Sequence, residues 1–272
     1  MRPLLKWAGG KRSLVKRIVE MFPDDIQDRR YHEPFFGGGA VFFHVEPSRG
    51  TINDINPQLM NFYRVVRDSP EELIEEASNY SYEESEYYER RERFNTPGIT
   101  DVEYAALLLY LNKTAYNGLY RVNSKGGFNV PYGRHKNPTI VPKRAIMRTS
   151  KLLENVEIHC GDFSYLLDVT KEGDICYIDP PYHPASDTAN FTNYVENGFT
   201  PADHERLRET CNDLDVMGVT FVLSNSDTEL IWNLYGEEKG YRIISFSTRR
   251  MISSKVSSRG SGRDLLITNS PS

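Results

Sequence analysis

The apolar run Asp174-Ile175-Cys176-Tyr177-Ile178 ends at Asp179 and is followed by two consecutive prolines, Pro180 and Pro181. Proline has a fixed φ and no backbone N–H, and it pushes the residue before it out of helical geometry. The run therefore reads as a buried strand that must stop at Asp179. In α/β sheets, ligands bind at the carboxyl ends of strands, so Asp179-Pro180-Pro181-Tyr182 is placed at such an edge. The prolines leave carbonyls there with no competing local donors. Together, the Asp179 carboxylate and the Pro180 carbonyl can accept both hydrogens of an exocyclic amine, and Tyr182 offers a ring face for a stacked base. A proline-stiffened strand exit with a cap is the plainer reading of the same four residues.

The rest of the chain alternates short β-rich runs with helical patterns at both ends. Tyr31–Phe36 reads as a strand entering a glycine-rich turn, with a helix from about Gly39 to His44. Thr51-Ile52-Asn53 is a second strand, with a helix after Asn56-Pro57. Val156–Cys160 and Val219–Leu223 are further buried strands. Thr200-Pro201-Ala202-Asp203 has the form of a helix start: N-cap, proline at the first position, acid at the third. The face of that helix carrying Leu207, Cys211 and Leu214 is apolar. Strands alternating with helices imply a mostly parallel sheet covered on both faces. From residue 57 to 145 the alternation stops. A capping box at Thr100–Glu103 opens an Ala/Leu-rich helix ending near Asn117-Gly118. Turn signals at 123–127 and 131–133 then flank a short β-like Phe128-Asn129-Val130. The reading is a helical insert, 57–145, carrying a basic hairpin, between two parts (1–56 and 146–272) of one α/β domain.

Composition narrows the classes. The 272 residues are 39% hydrophobic and 26% charged, a globular balance, with no apolar run of membrane-spanning length. The N-terminus lacks a secretory pattern, and the cysteines (Cys160, Cys176, Cys211) form no C-x-x-C pair. A reducing, cytoplasmic setting without disulfides or a zinc knuckle is expected. The net charge of −5 hides an asymmetry: Arg121 to Leu153 contains no acid but eight Lys/Arg residues, whereas Asp68 to Glu92 contains nine glutamates. A solvated face explains any one charge run. One basic stripe on an acidic protein is also the electrostatic footprint of a nucleic-acid binder.

The glycine turn, Phe35-Phe36-Gly37-Gly38-Gly39, allows close backbone approach to a ligand, and Asp54 after the second strand is placed to accept from a ribose diol. A purely structural turn is the alternative. A dinucleotide fingerprint would need glycine where the chain has Phe42. No Pro-Cys nucleophile exists for C5-cytosine chemistry, and no His/Cys/carboxylate spacing fits a metal, with His183 read as structural.

Asp-Pro-Pro-Tyr after a strand, with Phe-x-Gly-x-Gly far upstream, resembles the amino-methyltransferases that use S-adenosylmethionine. Lys6-Trp7-Ala8-Gly9-Gly10-Lys11, Tyr116–Asn123 and Gly127–Gly133 narrow the resemblance to Dam-type DNA adenine methyltransferases, with the motif order of the alpha group, over Pro3 to about Leu266. The resemblance implies a Rossmann-like, S-adenosylmethionine-dependent methyltransferase sheet with an inserted, mostly helical target-recognition domain and its β-hairpin. It implies that Trp7, Lys11, Phe35, Gly37 and Gly39 line the cofactor site, that Asp54 holds the ribose, and that Asp162 and Phe163 bracket the cofactor adenine. Asp179 would serve both cofactor and target amine, with Pro180, Pro181 and Tyr182 completing the catalytic motif. Ordinary core packing for Trp7 and a surface charge for Lys11 are the alternatives.

The implied function is site-specific methylation of adenine N6 in duplex DNA, with the base flipped out of the stack. GATC is the implied target, and a restriction-modification role is one setting. Arg121 is the choice for a bidentate guanine contact. Tyr116 and Asn117 would fill the gap left by the extruded base, and Lys125, Arg134 and Lys136 would meet phosphates. Arg249, Arg250, Lys255 and Arg259 are further phosphate candidates, with a solvated loop as the alternative. His135 stands where the family pattern has Tyr. Tyr80, Tyr82, Tyr87 and Tyr88 read as helix packing rather than base stacking. Cytosine-N4 methylation and a catalytically silent DNA-binding module are the other readings. No metal and no membrane are expected, and the enzyme is read as a monomer, with two copies per palindromic site as the variant.

Overall fold

The computed structural model describes residues 1–11, 13–184, 198–236, 240–249 and 261–270. Among them, the strands are β1 (Tyr31–Glu33), β2 (Gly50–Ile52), β3 (Val156–Ile158), β4 (Ile175–Ile178), β5 (Thr220–Ser226), β6 (Arg242–Arg249) and β7 (Ser261–Thr268). The helices are α1 (Val15–Val19), α2 (Phe42–Val45), α3 (Pro57–Asp68), α4 (Pro70–Ser78), α5 (Glu84–Phe94), α6 (Asp101–Thr114), α7 (Lys143–Leu153), α8 (Leu166–Val169), α9 (Pro201–Val216) and α10 (Glu229–Tyr235). This is the expected mixed α/β architecture. The chain divides into two compact units, one of residues 1–15 with 36–162, the other of 16–35 with 163–272.

In the first unit β2 and β3 pair in parallel, Gly50 opposite Val156 and Ile52 opposite Ile158. Helix α3 starts where the sequence places it: Asn56 caps the Leu59 N–H at 3.0 Å, and Pro57 occupies the first turn. Its buried Leu59, Phe62, Tyr63 and Val66 join the aromatic core, in which Phe36 lies edge-on to Tyr63 at 4.8 Å and to Phe42 at 5.5 Å. Helix α6 is apolar nearly all round, and residues 105–112 are all buried.

Three sequence expectations change here. Thr100 does cap the Glu103 N–H, but the Glu103 carboxylate pairs with Arg93 at 2.6 Å instead of closing the box. The helix also ends at Thr114, short of Asn117-Gly118, because Ala115 is extended and bridges Tyr132 of the hairpin. The third change concerns the turn after β1. The helix expected from Gly39 begins only at Phe42, since Gly37 (φ 49°) and Gly39 (φ 66°) hold left-handed backbone.

In the second unit the strand order is β1-β4-β5-β7-β6. β1, β4 and β5 run parallel, with Tyr31 opposite Ile175 and Ile178 opposite Leu223, while β7 is antiparallel to both β5 and β6. β4 is buried at all four positions, as a doubly covered parallel strand should be. Helix α9 has the full capping box, with Thr200 and Asp203 bonding reciprocally, and its Leu207, Cys211 and Leu214 pack with Cys176, Ile178, Phe221 and Leu223. Fully burying aliphatic side chains of this size is worth about 1.5–3 kcal/mol each. At the amino ends of β1 and β4, His32 Nε2 meets Asp174 Oδ2 at 3.0 Å, both residues buried. The three cysteines are free, and no helix among the described residues is long and apolar enough to cross a membrane.

Candidate active site

The first unit gathers three of the residues singled out for a cofactor. The Gly37 N–H donates to Asp54 Oδ2 at 2.9 Å, and the Asn56 N–H donates to Asp54 Oδ1 at 3.0 Å. Burial raises the Asp54 pKa above its ordinary value, against the opposing pull of the Asn56, Gly37 and Ile55 amides. Asp54 therefore clamps the glycine turn to the end of β2 and keeps acceptor capacity for a further donor. Trp7 lies against that turn: a Cβ on Gly37 would stand 3.1 Å from the indole, and one on Gly38 would stand 3.2 Å from the Trp7 Cβ. The indole stacks on Tyr120 at 4.7 Å, with a 24° interplanar angle. Gly39 answers to the core, since a Cβ there would strike the Phe36 ring at 2.4 Å. Lys11 Nζ donates to the Gly9 carbonyl at 2.8 Å, within its own loop. Asp162 is exposed, next to Gly161, whose carbonyl accepts from Asn53 at 2.9 Å.

The second unit holds the proline motif. Asp179 follows the last residue of β4, and the Ser224 hydroxyl of β5 donates to Asp179 Oδ1 at 2.7 Å. Pro180 is buried, Pro181 exposed and Tyr182 half-buried. Beyond them the His183 N–H donates to Asn225 Oδ1 at 3.1 Å, and His183 Nδ1 meets Thr228 Oγ1 at 3.1 Å. A structural place for His183 fits these bonds, and no group of metal-ligating side chains occurs among the described residues. Phe163 is a core residue: Phe35 packs against it at 5.5 Å, and the Arg206 guanidinium lies 5.0 Å over its ring. The Ser224-Asn225-Ser226 triplet escaped the sequence reading, although three polar residues directly continuing an apolar strand at its carboxyl end are a readable signal.

The hairpin belongs to the first unit. Its ends are the bridges Ala115–Tyr132 and Val122–Phe128, and Asn95 accepts from the Phe128 N–H at 2.8 Å and donates to its carbonyl at 3.0 Å. Tyr116 is 54% exposed, and Asn117 stands beside it in a left-handed conformation with φ 56°. Arg121 is exposed and held by Asn129, with Nε 2.7 Å from the side-chain oxygen. Lys125 and Lys136 are exposed, and Arg134 lies 3.6 Å from Glu84. His135 Nε2 sits 2.9 Å from the Ala115 carbonyl, buttressing the start of the turn that carries Tyr116 and Asn117. Tyr80 and Tyr87 are buried, and the Tyr87 hydroxyl donates to the Val130 carbonyl at 2.7 Å, so helix packing holds for both. Arg250, Lys255 and Arg259 lie outside the described residues, as does the side chain of Arg249.

Comparison with known proteins gives this arrangement its family. The model of the D12 class of N6 adenine-specific DNA methyltransferases matches residues 7–252. The chain belongs to that class. The D12 enzyme is 42% identical over 276 residues to the Type II methyltransferase M1.LlaDCHI of Lactococcus lactis subsp. cremoris, covering 99% of this chain and 95% of that protein. It is 40% identical over 289 residues to the Type II methyltransferase M.MjaIII of Methanocaldococcus jannaschii, covering 99% of each. Against the DNA adenine methylase of Escherichia coli strain K12 the identity is 34% over 274 residues, covering 99% of this chain and 96% of the relative. As a member of this class the D12 chain is an adenine-N6 DNA methyltransferase, and DNA is its substrate.

Proposed function

We propose that this adenine-N6 methyltransferase takes its methyl group from S-adenosylmethionine, acts on an adenine flipped out of duplex DNA, and selects GATC. The observation that supports the reading most is Asp179: a carboxylate at the mouth of a buried strand, oriented by Ser224 and followed by two residues without N–H groups. The half-buried, amide-held Asp54 beside a left-handed glycine turn and a stacked Trp7 fits the diol and flat purine of the donor. We assign the donor to Trp7, Lys11, Phe35, Gly37, Gly39, Asp54, Asp162, Phe163 and Asp179, the last serving the target amine as well. When bound, S-adenosylmethionine supplies an electrophilic sulfonium methyl.

The chain's own residues then carry the selectivity for an amine. The adenine N6 lone pair is delocalised into the ring. Hydrogen bonds from N6 to the Asp179 carboxylate and the Pro180 carbonyl favour a pyramidal, electron-rich nitrogen and stabilise the positive charge that develops on it. Tyr182 supplies a face for the extruded base, whose unstacking costs a few kcal/mol. No covalent enzyme intermediate is required. In the hairpin, Arg121 reads guanine, Tyr116 and Asn117 occupy the space the adenine leaves, and Lys125, Arg134 and Lys136 hold phosphates, with Arg249 and Arg250 as further contacts. On this assignment residues 57–145 recognise the target and 1–56 with 146–272 carry the chemistry. The similarity to proteins named Type II methyltransferases supports a partner role beside a restriction enzyme, in the cell compartment that holds the DNA. Incubating unmethylated plasmid with the enzyme and S-adenosylmethionine, followed by single-molecule mapping, tests the whole reading. N6-methyladenine confined to GATC is expected; N4-methylcytosine, or adenine methylation at unrelated sites, refutes it.

A further inference from the structure

Strand β5 ends in Ser224-Asn225-Ser226, three consecutive polar side chains, each 0% exposed. Burying polar groups carries a desolvation cost, so the bonds they make need a purpose beyond strand formation. All three reach the segment 179–183. Ser224 Oγ donates to Asp179 Oδ1 at 2.7 Å, and the Tyr177 hydroxyl lies 3.1 Å behind it on Ser224 Oγ. A serine hydroxyl has a single proton. With that proton on the carboxylate, Tyr177 must donate at the next bond, which gives a one-way chain from Tyr177 through Ser224 to Asp179. Burial, then the nearby Asp179 charge, holds the Tyr177 phenol well above its ordinary pKa, in the protonated form that this direction needs. At the other end Asn225 accepts the His183 N–H, and the Ser226 hydroxyl donates to the His183 carbonyl. Pro180 and Pro181 can donate to no ladder, so the strand next door must hold the segment from both ends.

We propose that Ser224 is a positioning residue for methyl transfer, fixing the Asp179 carboxylate with Tyr177 as its donor, while Asn225 and Ser226 anchor the far end of the motif at His183. The inference rests on the reading of Asp179 as the acceptor of the target amine. A misplacement of about 1 Å at a reacting group can cost on the order of a hundred-fold in rate.

The test uses the purified full chain, tritiated S-adenosylmethionine and a duplex oligonucleotide, with kcat, both KM values and the melting midpoint measured for each variant. For Ser224→Ala, kcat is expected to fall about ten- to a hundred-fold with both KM values within about two-fold of wild type. Ser224→Thr, which keeps a hydroxyl, is expected to recover most of the rate. Tyr177→Phe should lower kcat by a few-fold, and adding it to Ser224→Ala should cost nothing more, since the chain is already broken. Unchanged kcat in Ser224→Ala, no rescue by threonine, or a loss confined to KM overturns the proposal. Should Ser224→Ala fail to fold, Tyr177→Phe decides alone, and a wild-type kcat there overturns it. Failure of the underlying reading looks different: wild-type enzyme transfers no methyl to DNA, or Asp179→Ala keeps full activity.

Discussion

Asn112 offers the sharpest test of how the first unit is assembled. Its side chain is 3% exposed and makes three hydrogen bonds to backbone far from it in sequence or across a turn. Oδ1 accepts from the Lys6 N–H at 2.9 Å, and Nδ2 donates to the Lys6 carbonyl at 2.8 Å and to the Gly118 carbonyl at 3.3 Å. One amide thus straps the segment before Trp7 to α6 and to the turn that presents Tyr116 and Asn117. At about 1 kcal/mol net per neutral hydrogen bond, Asn112→Ala should cost about 3 kcal/mol. In a chain of this length each kcal/mol moves the melting midpoint about 2–4 °C, so a drop of about 6–12 °C is expected by calorimetry. Asn112→Asp keeps the acceptor for Lys6 N–H but sets a carboxylate against two carbonyls. It should be worse than alanine at neutral pH and recover as the pH falls and the acid gains a proton. A midpoint shift under about 2 °C for Asn112→Ala would show that the strap carries no net stability and would refute this reasoning.

Three further outcomes are expected. Asp179→Ala should lower methyl transfer by about 10²–10³-fold or more while the affinity for DNA, measured by fluorescence anisotropy, stays within a few-fold; equal loss of both contradicts the assigned role. Arg121→Ala should erode discrimination between the cognate site and a site changed at guanine by about 1–3 kcal/mol, read as relative methylation rates, with little change in nonspecific binding. Burial works to raise the Asp174 pKa, but the bond to His32 and the Lys171 amide prevail and lower it. A lowered folded-state pKa contributes stability above the unfolded value and loses it as pH falls through the folded value. Asp174→Asn should therefore destabilise the protein by about 1–3 kcal/mol at neutral pH, with the gap to wild type closing in acid urea titrations.

The sequence exposed the parts of this fold that are set locally. Asn56-Pro57 and Thr200-Pro201 start helices because a side-chain cap and a proline act within one turn, and the structure begins α3 and α9 at those residues. The apolar run before Asp179 reads as a covered strand because two prolines stop it there, and β4 is one. What stayed hidden depends on distant partners. Helix α6 stops at Thr114 because Tyr132 bridges Ala115, and nothing near residue 114 announces that. Tyr120 stacking on Trp7 joins residues more than a hundred positions apart, with no local pattern to betray it. Asp54 was readable as an acid after a strand, but not as the clamp of the glycine turn, because its partner amide on Gly37 lies in another loop. Ser224 shows the same limit: its polarity is visible in the sequence, and its target is not.

The strap at Asn112 also has a bearing on the order in which the protein is made. Lys6 and Asn112 are 106 positions apart, so a nascent chain growing at about 5–20 residues per second exposes Trp7 for roughly 5–20 s before its anchor leaves the ribosome. β2 waits just as long for β3, and β1 longer still for β4, since Ile52 pairs with Ile158 and Tyr31 with Ile175. Early segments of both units are thus finished by residues translated late. A message truncated ahead of codon 112 would yield a peptide in which Lys6 has lost the amide that straps it.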